Sequence, residues 1–446
     1  MPVNVFFVPL GCAKNLVDSE RMIAQLKAAG MRLVEDAGEA EVAIVNTCGF
    51  IEPAQREAIE ILLELGELKK TGSLRAIVAA GCLTQRYREE FLTELPEVDA
   101  VLGTGSYDDI VEAVHGALKG EKIARFADMS AGKLSGERSL LTPQYSAYLR
   151  IAEGCDNRCA YCVIPYLRGP FRSRPMEELL DEATELVKSG TRELMVIAQD
   201  ISRYGTDLYG KRCLDELVSG LCAIEGLHWV RLHYLYPDEL DDSLLEVIAR
   251  NPKVLRYFDI PLQHINDRVL KDMNRRGNGA LIRERIEKIR ALMPEAVIRT
   301  SLIVGFPGES DAEFDELYDF LAEYKLERAG VFCYSREEGS PAYDMPNQVP
   351  EEVKESRRAA LFTLQQDIMN EKSAELIGRT LEVLCCGVDE NGQRYGRSYM
   401  DAPDIDGVVY FEEEVPEGTF AMVKIHDAAG CELFGEVISM QAGGNK

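Results

Sequence analysis

The first quarter of the chain alternates short apolar runs with longer stretches in which apolar residues recur at helical spacing. Runs at 3–8, 42–45, 75–80 and 98–102 are apolar almost throughout, the pattern of strands buried on both faces. Between them Leu16, Met22, Ile23 and Leu26 mark a helix over 15–29, and further helices are predicted over 53–70 and 107–118. Such alternation predicts a parallel sheet covered on both sides. The period restarts at Tyr148. Strands are expected at 148–152, 193–198, 229–233, 258–261, 297–304 and 329–332, with helices at 177–189, 214–224, 241–251, 280–292 and 311–324. Repeated strand–helix units of this kind predict an incomplete β/α barrel, whose chemistry sits at the carboxyl ends of the strands. Leu361, Leu364 and Ile368 form the apolar stripe of a helix over 350–377. The tail changes period again, to short strands at 381–386, 393–398, 407–411, 419–426 and 432–437 with glycine-rich turns, as in a small OB-like β-barrel. The expected organisation is α/β: an amino-terminal parallel α/β sandwich (1–120), a linker (121–145) with room for a strand at 123–126, a partial barrel (146–350), a helical connector (351–373) and a small β-barrel (374–441).

Composition narrows the class. A chain of 446 residues with 46% hydrophobic content can bury several cores. The net charge of −26 disfavours direct binding to nucleic acid through phosphates and suits a basic partner. No apolar run reaches the ~18–20 residues of a membrane helix, and the start carries no basic-then-apolar leader. No membrane association and a cytoplasmic location are therefore expected. Twelve cysteines in such a compartment point to metal ligation rather than disulfides.

Three of the cysteines follow the first expected barrel strand: Cys155, Cys159 and Cys162, spaced C-x3-C-x2-C. Three soft ligands without a nearby fourth suit a [4Fe–4S] cluster with one open iron. A structural zinc would want four ligands, and no histidine lies between Cys162 and His228. Buried cysteines or a zinc knuckle are the plainer alternatives. Cys12, Cys48 and Cys82 each sit beside a glycine just past an expected strand end. In an open α/β sheet these ends share one edge, where ligands bind. Singly, each reads as a core cysteine; as a set, they read as a second metal site. Cys213, Cys222, Cys333, Cys385, Cys386 and Cys431 show no ligand spacing and read as structural. Gln263 and His264 are polar barrel lining or substrate contacts.

The cysteine spacing in an α/β chain resembles the radical S-adenosylmethionine (SAM) enzymes. The turn Gly305-Phe306-Pro307-Gly308-Glu309 resembles that superfamily's SAM-supporting turn, though any strand-to-helix turn can look like this. On the same resemblance Tyr161 would stack on the adenine, or would simply pack. With the amino-terminal cysteine trio and the terminal barrel added, the whole chain resembles the methylthiotransferases. The resemblance implies two [4Fe–4S] clusters, a radical-generating one on Cys155, Cys159 and Cys162 and an auxiliary one on Cys12, Cys48 and Cys82. It implies SAM used twice, to methylate a sulfur and to make a 5′-deoxyadenosyl radical, and a substrate-recognising TRAM barrel at the end. The family has a tRNA-adenosine branch and a ribosomal-protein branch. Residues 374–441 carry far more acids than bases, including Asp401, Asp406, Glu412, Glu413 and Glu414 against Arg379, Arg394, Arg397 and Lys424, the wrong sign for a phosphate groove. Gly396-Arg397-Ser398, Asp401–Gly407 and Tyr204–Gly210 also resemble the ribosomal-protein branch. That branch implies an aspartate of the small-subunit ribosomal protein uS12, free or in the subunit, as substrate, and a flavodoxin-like electron donor. A metal-binding protein that only docks on ribosomes is the non-enzymatic alternative.

Overall fold

The computed structural model describes residues 2–72 and 74–440. The first residue of the expected amino-terminal domain and the last of the expected terminal barrel, 441, lie outside them. The first sheet contains β1 (Asn4–Pro9), β2 (Arg32–Val34), β3 (Val42–Thr47), β4 (Ala76–Gly81), β5 (Ala100–Leu102) and β6 (Ile123–Arg125), in the order β2-β1-β3-β4-β5-β6. Every pairing is parallel. β3 and β4 are buried along their whole length. The helices Ala13–Ala28 and Ile110–Leu118 cover one face, and Glu52–Thr71 covers the other. The edge strand β2 has no apolar run to announce it, since an edge strand needs burial on only part of its surface.

The second sheet is also parallel. It comprises β7 (Ser146–Arg150) and, beyond a two-stranded antiparallel ribbon of β8 (Ala152–Glu153) and β9 (Arg172–Ser173), the strands β10 (Glu193–Ile197), β11 (Trp229–Leu232), β12 (Val254–Asp259), β13 (Val297–Val304) and β14 (Arg328–Cys333). Their order, β14-β13-β12-β11-β10-β7, leaves the sheet open, as an incomplete barrel requires. β12 starts four residues before the expected 258. Arg256 interrupts the apolar run, but it satisfies itself locally by donating to the carbonyls of Ala249, Asn251 and Val254.

The helix Glu351–Ala374 leads to a closed barrel of β15 (Thr380–Val388), β16 (Arg394–Ser398), β17 (Val409–Phe411), β18 (Phe420–Ala429) and β19 (Glu432–Met440). This barrel packs on the amino-terminal ends of the central strands. Trp229 and Val297, the first residues of β11 and β13, share a core with Leu384, Val409 and Phe420, and the Trp229 and Phe420 rings meet edge-on at 4.8 Å. Charges close the joint. Glu193 accepts from Arg397 at 2.5 Å and from Arg231 at 3.0 Å, all three buried. Asp406 accepts from the Tyr257 hydroxyl at 2.6 Å, and Asp401 lies 3.5 Å from Arg328. The acidic balance of the tail is therefore partly internal: Asp401 and Asp406 are buried against arginines of the central sheet, whereas Glu412, Glu413, Glu414 and Glu417 are exposed.

Candidate functional site

The loop after β8 is built to hold three thiols. Gly154 has φ +79, and a Cβ there would lie 2.0 Å from the Pro170 carbonyl oxygen, so only glycine fits. Cys155 donates its amide to Gly169, Ala160 to Met273, and Cys162 to Cys159. Asn157 donates to Asp200 at 2.8 Å. Cys155, Cys159 and Cys162, with Tyr166, Pro170 and Pro341, line a cavity of about 250 Å³. Burial pushes the Cys155 thiol up to about 11 and the Cys162 thiol higher still, so binding a metal must expel these protons. The Ile164 amide already donates to Cys162 Sγ at 3.4 Å, and Arg275 Nη1 lies 3.9 Å from Cys159 Sγ.

The second trio comes together through sheet register. Pro9 pairs with Asn46 and Asn46 with Ala80, so Cys12, Cys48 and Cys82 leave three adjacent strand ends in step. The backbones there are close. A Cβ on Gly11 would sit 3.0 Å from Cys48 Cβ, and one on Gly49 would sit 2.8 Å from the backbone of Cys82 and Leu83. Arg168, from the helix Ile164–Arg168 just beyond Cys162, crosses to this trio. Its Nε donates to Cys82 Sγ at 3.2 Å, and its other nitrogens donate to Asp18 at 2.6 Å and to Asn15. Desolvation works against the Cys12 thiolate, but the charges of Lys14 and Arg168 outweigh it and hold that thiol below its ordinary value. Cys82 goes the other way, pushed up to about 12 by burial that Arg168 only partly offsets.

The two trios adjoin. Cys82 packs on Val163 and Leu167, the residues following Cys162. Asp18 bridges Arg150 and Arg168, and on another flank Glu337 accepts from Arg86 at 2.8 Å and from the Glu52 amide at 3.1 Å. The donor chemistry fits iron–sulfur clusters better than single ions. In a tetrahedral zinc site, sulfurs stand about 3.8 Å apart. Among the described residues, only Cys333, Glu351 and Glu355 bring three ligand atoms within 4.8 Å of one another, and there Lys354 and Arg358 pair with the two carboxylates.

The remaining sequence-derived positions divide. Tyr161 packs beside Ala160, Phe306 and Tyr334, which ties the cysteine loop to the turn at Gly305 and Pro307. Gly305 (φ +73) gives its amide to Glu309 at 2.9 Å, and a Cβ there would strike Lys354 at 2.2 Å. His264 is buried, accepts from the Asn266 amide, and is driven down to about 3 by burial, so it is neutral and internal. Gln263 is fixed by backbone bonds to Ser301 and Ile303. Lys14, Arg168, Tyr234, Tyr236 and Arg275 were missed by sequence reasoning. Lys14 sits two residues past a proposed ligand, which is the one local signal that pointed to it.

Family models match in three places: "Uncharacterized protein family UPF0004" over 4–103, "Radical SAM superfamily" over 149–321 and "TRAM domain" over 377–438. The "Ribosomal protein uS12 methylthiotransferase RimO" of Thermoanaerobacter sp. (strain X514) is 48% identical, covering 97% of this chain and 99% of that protein. The protein of the same name from Pelotomaculum thermopropionicum is 48% identical, covering 98% and 100%. This chain belongs to the uS12 methylthiotransferase family. Among solved structures, the radical S-adenosylmethionine methyltransferase TsrM from Kitasatospora setae, with cobalamin and a [4Fe-4S] cluster bound, shares this methylthiotransferase's fold at TM-score 0.56 and 14% identity, covering 77% of each chain. No described helix of the methylthiotransferase is long and apolar enough to cross a membrane.

Proposed function

We propose that the chain attaches a methylthio group to the β-carbon of an aspartate in ribosomal protein uS12, with Cys155, Cys159 and Cys162 holding one [4Fe–4S] cluster and Cys12, Cys48 and Cys82 a second. Residues 1–120 carry the second trio, 146–350 the first, and 374–441 recognise the substrate, with 121–145 and 351–373 as connections. One observation carries the reading: two separate cysteine trios from different sheets abut, with Cys82 packed on Val163. The clusters and SAM supply the radical and the sulfur when bound.

The side chains do the rest. Cys155 and Cys159 are buried, so the apolar floor of the loop keeps water from a reactive radical. Tyr161, Gly305 and Pro307 form the wall on which SAM is oriented. Arg275 and the Ile164 amide donate to Cys159 and Cys162 sulfur, and Arg168 donates to Cys82, which favours the anionic form of each ligand. A flavodoxin-like protein delivers the electron, and uS12 is accepted free or in the small subunit.

The test is iron counting plus product weighing. Anaerobically reconstituted wild type should hold two clusters and add a methylthio mass to uS12. A Cys155/Cys159/Cys162→Ala variant should keep one cluster and add nothing. A mass gain on tRNA alone would refute the substrate, and a triple variant without either cluster would refute the two-site assignment.

A further inference from the structure

Buried cations in this protein meet carboxylates, with two exceptions among the described residues. Arg21, Arg150, Arg168 and Arg357, for instance, each pair with an aspartate or glutamate. Lys14 and Arg275 do not. Both lie over tyrosines that follow β11. The Lys14 ammonium is 3.6 Å from the Tyr234 ring centroid, and the Arg275 guanidinium is 4.3 Å from that of Tyr236. Arg275 is engaged, donating to the Pro261 carbonyl and reaching Cys159. Lys14 is only 8% exposed, and the charged and polar groups facing it are Tyr234, Cys12 and Arg168. An ammonium taken out of water without a carboxylate partner is costly, and the anionic neighbour it has, the Cys12 sulfur, is shared with Arg168. Cation–π contact with one ring returns only about 1–2 kcal/mol. Arg168 serves the Cys82 sulfur as well, whereas the Lys14 chain leaves its own helix to reach Tyr234 at the carboxyl edge of the second sheet.

We infer that Lys14 is the specificity-determining residue that receives the side-chain carboxylate of the substrate aspartate. This rests on the reading of the substrate given above. An ammonium at this place fixes the acid group and with it the adjacent carbon, while Tyr234 shapes the wall behind the ammonium. It also gives a reason for discrimination, because asparagine would leave the ammonium uncompensated.

The test uses reconstituted holoenzyme with uS12 and with uS12 whose target aspartate is replaced by asparagine. Lys14→Met should keep the iron and sulfide content and the electron paramagnetic resonance spectra of both clusters. Its kcat/KM on native uS12 should fall about ten- to hundredfold, mainly through KM, and its preference for aspartate over asparagine should collapse. Lys14→Arg should recover most of both. Native KM and intact preference in Lys14→Met would overturn the inference, as would loss of the auxiliary iron, which would make Lys14 the counter-charge of that cluster. If wild type leaves uS12 unmodified, the substrate reading itself fails and takes this one with it.

Discussion

Within the Cys12, Cys48 and Cys82 trio, single residues set the chemistry in opposite senses. Cys12, facing Lys14 and Arg168, ionises readily; Cys82, buried, is held at about 12. At pH 8 that leaves a thiolate fraction of about one in ten thousand for Cys82. We expect iodoacetamide to label Cys12 of the metal-free protein far faster than Cys82 at pH 8. Cys82 labelling should climb about tenfold per pH unit above that, while Cys12 levels off; mass spectrometry of peptides reads both. Equal rates would show that the burial of Cys82 and the Lys14 charge beside Cys12 do not distinguish them. Replacing Arg168 by Met removes the donor to Cys82 Sγ and to Asn15 and leaves Asp18 with Arg150 alone. We expect a loss of about 1–3 kcal/mol in urea unfolding of the metal-free protein. All six proposed ligands were legible in the sequence because spacing and strand ends are local facts. Arg168, Arg275 and Lys14 were not, since their partners lie far along the chain and no local period marks them.

Secondary structure was legible where burial is symmetrical. β13 and the helix Asp311–Tyr324 fall where the apolar pattern places them, the latter with a Ser310/Glu313 capping box that stops the chain in one register. The pattern does not say where the terminal barrel docks, because Arg231 and Glu193 read as polar interruptions in apolar strands. Their purpose appears only with Arg397. Burial alone would raise the Glu193 carboxyl, but Arg397 and Arg231 outweigh it and hold it at about 2. A carboxyl depressed in the folded state contributes stability that is complete above its ordinary value near 4.5 and is lost as pH falls toward 2. Arg397→Ala should therefore cost about 3–5 kcal/mol at pH 7, with a gap to wild type that narrows between about pH 4.5 and pH 2. Thermal unfolding across that range checks it, and a pH-independent gap would point to lost packing instead.

On the scale of the whole molecule, charge and closure govern access. The net charge is −26, and the exposed acids Glu412, Glu413 and Glu414 project from the terminal barrel. Association with a basic protein should slow severalfold from about 50 to about 300 mM salt. Substituting these three glutamates with lysine should slow it further at low salt without changing iron content; stopped-flow binding would show either. The terminal barrel, seated beneath the central strands, stoppers the far end of the central sheet, so traffic must use the opposite side. There the joint between the first two sheets is riveted by Asp18, shared between Arg150 and Arg168 with side chains at most 3% exposed. Swinging the halves apart would strand those ions in a dry interior. The enzyme thus resembles a fixed slot rather than a jaw. On the proposed function, the reacting residue has to be presented on a slender, protruding loop, and adaptation has to come from the guest.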